Sequence, residues 1–153
     1  MQPEVDAARR FVRPAAIERL LNGLFGALIG IGIGLPHHFM LEVRGRKSGR
    51  LYSTPVDVLT IGSRRYLVAP RGETQWVRNA RTSGEVALRR GSRSETVALR
   101  ELLDAEKPEV LKAYLDSYKS TVQRFFPVPA GSPLEAFRPL CAGYPAFELL
   151  ARR

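Results

Sequence analysis

The chain has 153 residues, a formal charge of +9 and a single cysteine, Cys141. That length suits one domain able to bury a core without staples, and the lone cysteine excludes an intramolecular disulfide and a cysteine-based metal cluster, which points to a reducing compartment. From Arg44 to Arg93, 12 Lys/Arg stand against 3 acids, while the rest of the chain is balanced at 12 and 12; the excess lies in one continuous third and implies an anionic partner.

Residues 1–14 read as a flexible N-terminus without a signal or transit pattern. After Pro14, apolar residues at Ile17, Leu20, Leu21, Leu24, Phe25 and Leu28 follow the spacing of an amphipathic helix. The pattern then becomes glycine-rich and apolar up to Pro36. It is too short for a bilayer, which needs about 20 apolar residues, so 15–36 is expected to be a docking or membrane-surface helix. Its Gly30, Gly32 and Gly34 imitate part of a dinucleotide fingerprint but follow no strand.

Residues 37–153 are expected to form the main domain. Phe39–Val43, Tyr52–Ile61 and 65–69 alternate as strands, the last two joined by a Gly62-Ser63 turn. Thr74 is placed to cap a short helix from Gln75 to Arg81. Glu85–Arg89 and 95–103 make a second hairpin across Gly91-Ser92, Asp104 is placed to cap a helix over about 105–118, and 144–150 closes the chain as a strand. Six strands joined mainly by tight turns predict an antiparallel sheet, curled into a six-stranded barrel to remove its edges, with peripheral helices. The class is mainly β.

The richest segment chemically is Gly45-Arg46-Lys47-Ser48-Gly49-Arg50. Two glycines permit a tight turn whose amides can accept an anion, and the side chains add two charges and a hydroxyl. Arg46 stands where a P-loop requires glycine, so this is not one. Pro70-Arg71-Gly72 leads into the helix bearing Trp76, which sets an arginine and a helix N-terminus close together in sequence. His37 and His38 are adjacent; on a strand they would face opposite sides, so no metal site is expected. With so few reactive side chains, an enzyme of this kind must borrow its chemistry from a cofactor. The basic third lacks interleaved aromatic residues, which argues against nucleic acid.

On Gly45-Arg46-Lys47-Ser48-Gly49, Thr54-Pro55-Val56, Ala69-Pro70-Arg71-Gly72 and the helix with Trp76 and Asn79, the sequence resembles the deazaflavin-dependent nitroreductase and quinone-reductase family of actinobacteria, within the split β-barrel flavin-binding superfamily. The resemblance runs from about Leu41 to Leu103 and more weakly through Leu150. It implies an FMN-binding-like split barrel and an oxidoreductase that passes hydride from reduced coenzyme F-420 to a quinone, nitro or other unsaturated, lipophilic acceptor. Arg46, Lys47, Ser48 and Gly49 would hold the phosphate and glutamate tail. Thr54, Pro55, Val56, Ala69, Pro70, Arg71 and Gly72 would line the ring, with Trp76, Val77 and Asn79 beside it and Arg81 near the tail. Apart from the resemblance, a proton must follow the hydride, and Tyr118, Tyr144 or water is the expected source. FMN is the second choice of cofactor, and a non-catalytic F-420 carrier or a lipid-binding protein on the same fold is the alternative function. The expected setting is cytoplasmic, with peripheral membrane contact through 15–36 and a homodimeric assembly.

Overall fold

A computed structural model describes residues 36–151. The N-terminal segment and all but the last residue of the expected helix at 15–36 lie outside the described residues. In chain order the elements are β1 (His38–Arg44), β2 (Leu51–Asp57), β3 (Leu59–Ile61), β4 (Arg64–Val68), α1 (Gln75–Ser83), β5 (Glu85–Arg90), β6 (Arg93–Glu101), α2 (Lys107–Val122) and β7 (Ala146–Ala151). Short 3-10 segments cover Asp104–Glu106, Gln123–Phe125 and Leu134–Gly143. Among the described residues no helix is long and apolar enough to cross a membrane.

The described strands number seven, against the six expected from sequence. The predicted strand over Tyr52–Ile61 is two strands, because the chain changes partner at Val58. Leu51–Asp57 pair antiparallel with β1, from Arg44↔Leu51 to His38↔Asp57, while Leu59–Ile61 pair with β4. The amide of Val58 instead donates to the carbonyl of His37 at 2.8 Å. A hydrophobic pattern records burial and not the identity of the pairing strand, so this break carries no sequence signal.

The residues gather in two compact units. One holds 36–58, Gln75–Arg100 and 149–151, the end of β7, with strands in the order β2-β1-β5-β6. In β1 the consecutive residues Met40 and Leu41 are both buried, so both faces of this strand are covered. Val77 and Ala80, three residues apart on α1, are the buried face of a helix that packs on β1 and β5. β2 ends the strand order of this unit, and its position there accommodates Pro55, which has no N–H to offer a further strand.

The other unit holds Leu59–Thr74 and Glu101–Glu148, with strands in the order β7-β4-β3. Val110, Leu111, Tyr114 and Leu115 form the buried stripe of α2 and pack with Phe126, Phe137, Tyr144 and Ala146. Phe126 and Tyr144 stack at 4.6 Å with an interplanar angle of 10°. Both two-residue hairpin loops place glycine first, with φ +60° at Gly62 and at Gly91, as a type II′ turn requires.

Neither expected N-cap forms. Thr74 Oγ1 is buried with no hydrogen-bond partner among the described residues. Leu103 is the cap of the 3-10 turn Asp104–Glu106, where the Glu106 carboxylate takes the Leu103 amide at 2.8 Å, and α2 itself begins after Glu106 with no side-chain cap bond. Asp104 instead pairs with Lys107 at 2.9 Å.

Candidate functional site

The basic turn between β1 and β2 is built from its own backbone outward. The Gly45 amide donates to the Arg50 carbonyl at 2.7 Å and the Gly49 amide to the Gly45 carbonyl at 2.9 Å. Ser48 Oγ accepts the Arg50 amide at 3.2 Å and lies 3.5 Å from the Tyr52 hydroxyl. Gly45 is required by space: a Cβ there would sit 2.7 Å from Tyr52 Cε2 and 2.8 Å from Ser48 Oγ. Gly49 is required by conformation, with φ +71°.

Arg46 ties this turn to α1. Its amide donates to Asn79 Oδ1 at 3.1 Å, and its Nη1 donates to the same oxygen at 2.8 Å and to Gln75 Oε1 at 3.0 Å. Gln75 and Asn79 are four residues apart, so both reach the turn from one helix face. Asn79 is only 5% exposed. It therefore holds Arg46 in place, and its expected position beside the ring stays an expectation.

Four of the six amides in 45–50 are spent on these bonds, leaving those of Lys47 and Ser48 without a partner among the described residues. The exposed Lys47 ammonium likewise makes no ion pair or hydrogen bond among them. Two adjacent N–H groups, an unpaired ammonium and a hydroxyl form a donor set with no acidic group among them. Such a set suits a phosphate or carboxylate.

The remaining expected residues of this unit divide by exposure. Thr54, Pro55 and Val56 are half-buried on β2, and Trp76 is half-buried in the first turn of α1. Arg81 is exposed in its last turn. Val77 is fully buried, and its side chain packs α1 onto the sheet.

In the other unit, the expected loop Ala69-Pro70-Arg71-Gly72 is fixed by its backbone. Ala69 donates to the Pro145 carbonyl at 2.8 Å, and Gly72, with φ +85°, donates to the Ala69 carbonyl at 3.1 Å. Arg71 and Arg124 each place a guanidinium over the Phe125 ring, at 5.2 and 4.7 Å. Tyr144 is 2% exposed, and its hydroxyl donates to the Phe125 carbonyl. That hydroxyl proton is engaged within the fold. Tyr118 stays half-buried, at a kink in α2 and edge-on to Tyr114 at 5.4 Å.

The expectation that His37 and His38 cannot act together is overturned. His37 precedes β1 in a turn, so strand alternation does not separate it from His38. The two rings meet edge to face at 4.3 Å, and both Nε2 atoms approach Asp57 Oδ1, at 3.5 Å from His37 and 3.3 Å from His38. Burial, then the neighbouring His37 and Arg90, lowers the pKa of His38 to about 4. Burial raises that of Asp57, against a smaller lowering from His37.

The sequence model described as F420H(2)-dependent quinone reductase matches residues 15–129. No curated protein matches the chain. Among solved structures, the chain is similar to Atu2129 from Agrobacterium tumefaciens, a protein of unknown function, at 13% identity and a TM-score of 0.56 over 76% of this chain and 49% of that one. This chain thus spans about half the length of that protein. It is also similar to a protein described as a domain-swapped dimer, at 18% identity and a TM-score of 0.53 over 87% of this chain and 92% of that one. A third similar structure, from Listeria innocua and described provisionally as a pyridoxamine 5′-phosphate oxidase, has 10% identity and a TM-score of 0.50 over 76% of this chain and 85% of that one. These structures show a shared split-barrel-like fold and no more.

Proposed function

The chain belongs to the F420H(2)-dependent quinone reductase family, and from that premise we propose that it is an oxidoreductase with coenzyme F-420 as cofactor, whose basic β1–β2 turn holds the coenzyme's anionic tail while a lipophilic quinone is reduced. The carrying observation is the donor set at the tip of this turn: the Lys47 ammonium and the amides of Lys47 and Ser48, all without a partner among the described residues. The tail is polyanionic, and each hydrogen bond to an ionised group contributes about 1.5–3 kcal/mol.

Within this reading the residues have distinct tasks. Lys47, Ser48 and the turn amides bind, with Arg81 near the tail. Arg46, anchored by Nη1, keeps Nε and Nη2 without a partner among the described residues, so it can both fix the turn and meet an anion. Asn79 and Gln75 position Arg46. Thr54, Pro55 and Val56 present half-buried surface for a flat ring, and Trp76 adds an aromatic wall; the ring-lining role of Ala69–Gly72 is carried by family resemblance. When bound, the reduced coenzyme supplies a hydride. Holding donor and acceptor in register contributes about 7–11 kcal/mol in favourable cases. Reduction of a quinone also consumes a proton, which we assign to the Tyr118 hydroxyl or to water.

The test is turnover with reduced F-420 and a panel of quinones, nitro compounds and enones, followed by return of the oxidised coenzyme's absorbance. Quinone-dependent oxidation supports the reading. Tight coenzyme binding with no oxidation across the panel would make the protein a carrier.

A further inference from the structure

The ends of β1 and β2 farthest from the basic turn bring together three side chains that the coenzyme reading does not use. His38 and Asp57 are directly paired across the two strands. His37 is held beside them because its carbonyl accepts the Val58 amide at 2.8 Å. One ligand atom from each of the three lies within 4.8 Å of the others.

We propose that His37, His38 and Asp57 form a three-ligand zinc site that clasps the start of β1 to the end of β2. Two imidazole nitrogens and a carboxylate oxygen are a set zinc accepts, with the fourth position left to water. Ligands about 2.0–2.1 Å from a tetrahedral zinc stand roughly 3.3–3.4 Å from one another. The nitrogen–oxygen separations of 3.3 and 3.5 Å match two such edges, and the three ligand atoms all lie within 4.8 Å of one another, so closing on the ion draws the two imidazoles together.

The surroundings agree with this assignment. His38 is almost buried and Asp57 half-buried, while His37 is 27% exposed and gives the ion an entry path. The nearest opposing charge is Arg90, whose Nη1 donates to the His38 carbonyl at 3.1 Å; the Asp57 carboxylate offsets it. A metal bound here stabilises the native chain in proportion to the logarithm of its concentration over Kd.

Titration of the untagged full chain with Zn2+ by calorimetry, and with Co2+ by visible absorption, tests the site. The expected result is one equivalent of metal, intense four-coordinate Co2+ bands that Zn2+ abolishes, and a raised melting temperature. His37→Gln, at the turn, should weaken Zn2+ binding by at least about tenfold and leave the fold intact, as should Asp57→Asn. No saturable binding at pH 7.5, or equal affinity in wild type and His37→Gln, would overturn the proposal.

Discussion

The Arg46 amide and its guanidinium Nη1 both donate to one atom, Asn79 Oδ1, at 3.1 and 2.8 Å. A single buried amide side chain thus sets both the backbone and the side chain of the residue that starts the basic turn. Affinity for an anion depends on the donors being held in place before it arrives, and this pair does the holding.

Asn79→Leu should therefore act at a distance. It removes the acceptor for two donors of Arg46 while keeping a side chain of similar size, and the Arg46 amide is then left part-buried. The expected cost is about 1–3 kcal/mol of stability, read by chemical denaturation. F-420 affinity should fall as well, although Asn79 itself is not exposed to the coenzyme.

The two glycines of the turn should respond differently to alanine. At Gly45 the new methyl meets Tyr52 Cε2 and Ser48 Oγ inside 3 Å, so the turn must shift and coenzyme affinity should drop. At Gly49 nothing lies within 4 Å, and only the positive φ is penalised, by roughly 1–2 kcal/mol. Parallel thermal melts and F-420 titrations of the two variants separate the effects.

The two tyrosines should also separate. Tyr144→Phe leaves the Phe125 carbonyl without its partner in a buried site, and the loss, about 1–3 kcal/mol, should appear in the denaturation midpoint. Tyr118→Phe removes the assigned proton donor, and its effect should appear in kcat for quinone reduction with the midpoint little changed.

Acid stability should carry a signature of Asp116. Its carboxylate accepts the Gly131 amide at 2.7 Å and the Lys112 ammonium at 3.0 Å, and the first of these is the main reason its pKa lies below the usual value. A depressed native pKa means a contribution that is present above the unfolded value of 3.8 and lost as pH falls through the native one. Wild type should lose part of its stability below pH 3.8, and Asp116→Asn should show a shallower decline in acid denaturation.

Much of this architecture was legible in the residues. The hairpins at Gly62-Ser63 and Gly91-Ser92 follow from turn chemistry, and the helix expected over Gln75–Arg81 is found over Gln75–Ser83, although its expected Thr74 cap does not form. The charge count located the basic turn. Other features depend on contacts distant in sequence. The strand break at Val58 is a change of pairing partner, and Asn79 reaches Arg46 across 33 positions. The burial of Val77 and Tyr144 is decided by what packs over them, which their own positions in the sequence do not reveal. His37 illustrates the cost of an assumed secondary structure: one residue outside the strand, it turns toward Asp57 instead of away.

The most direct measurement is the affinity for F-420, by fluorescence quenching at low salt, of wild type against Lys47→Ala. Lys47 makes no bond to the rest of the described chain, so its loss should leave the melting temperature unchanged. Saturable quenching by wild type, with binding weakened roughly tenfold to a hundredfold in Lys47→Ala and by added salt, is the predicted result. Equal affinity of the two proteins, or no quenching by either, would contradict the assignment of the turn to the coenzyme tail.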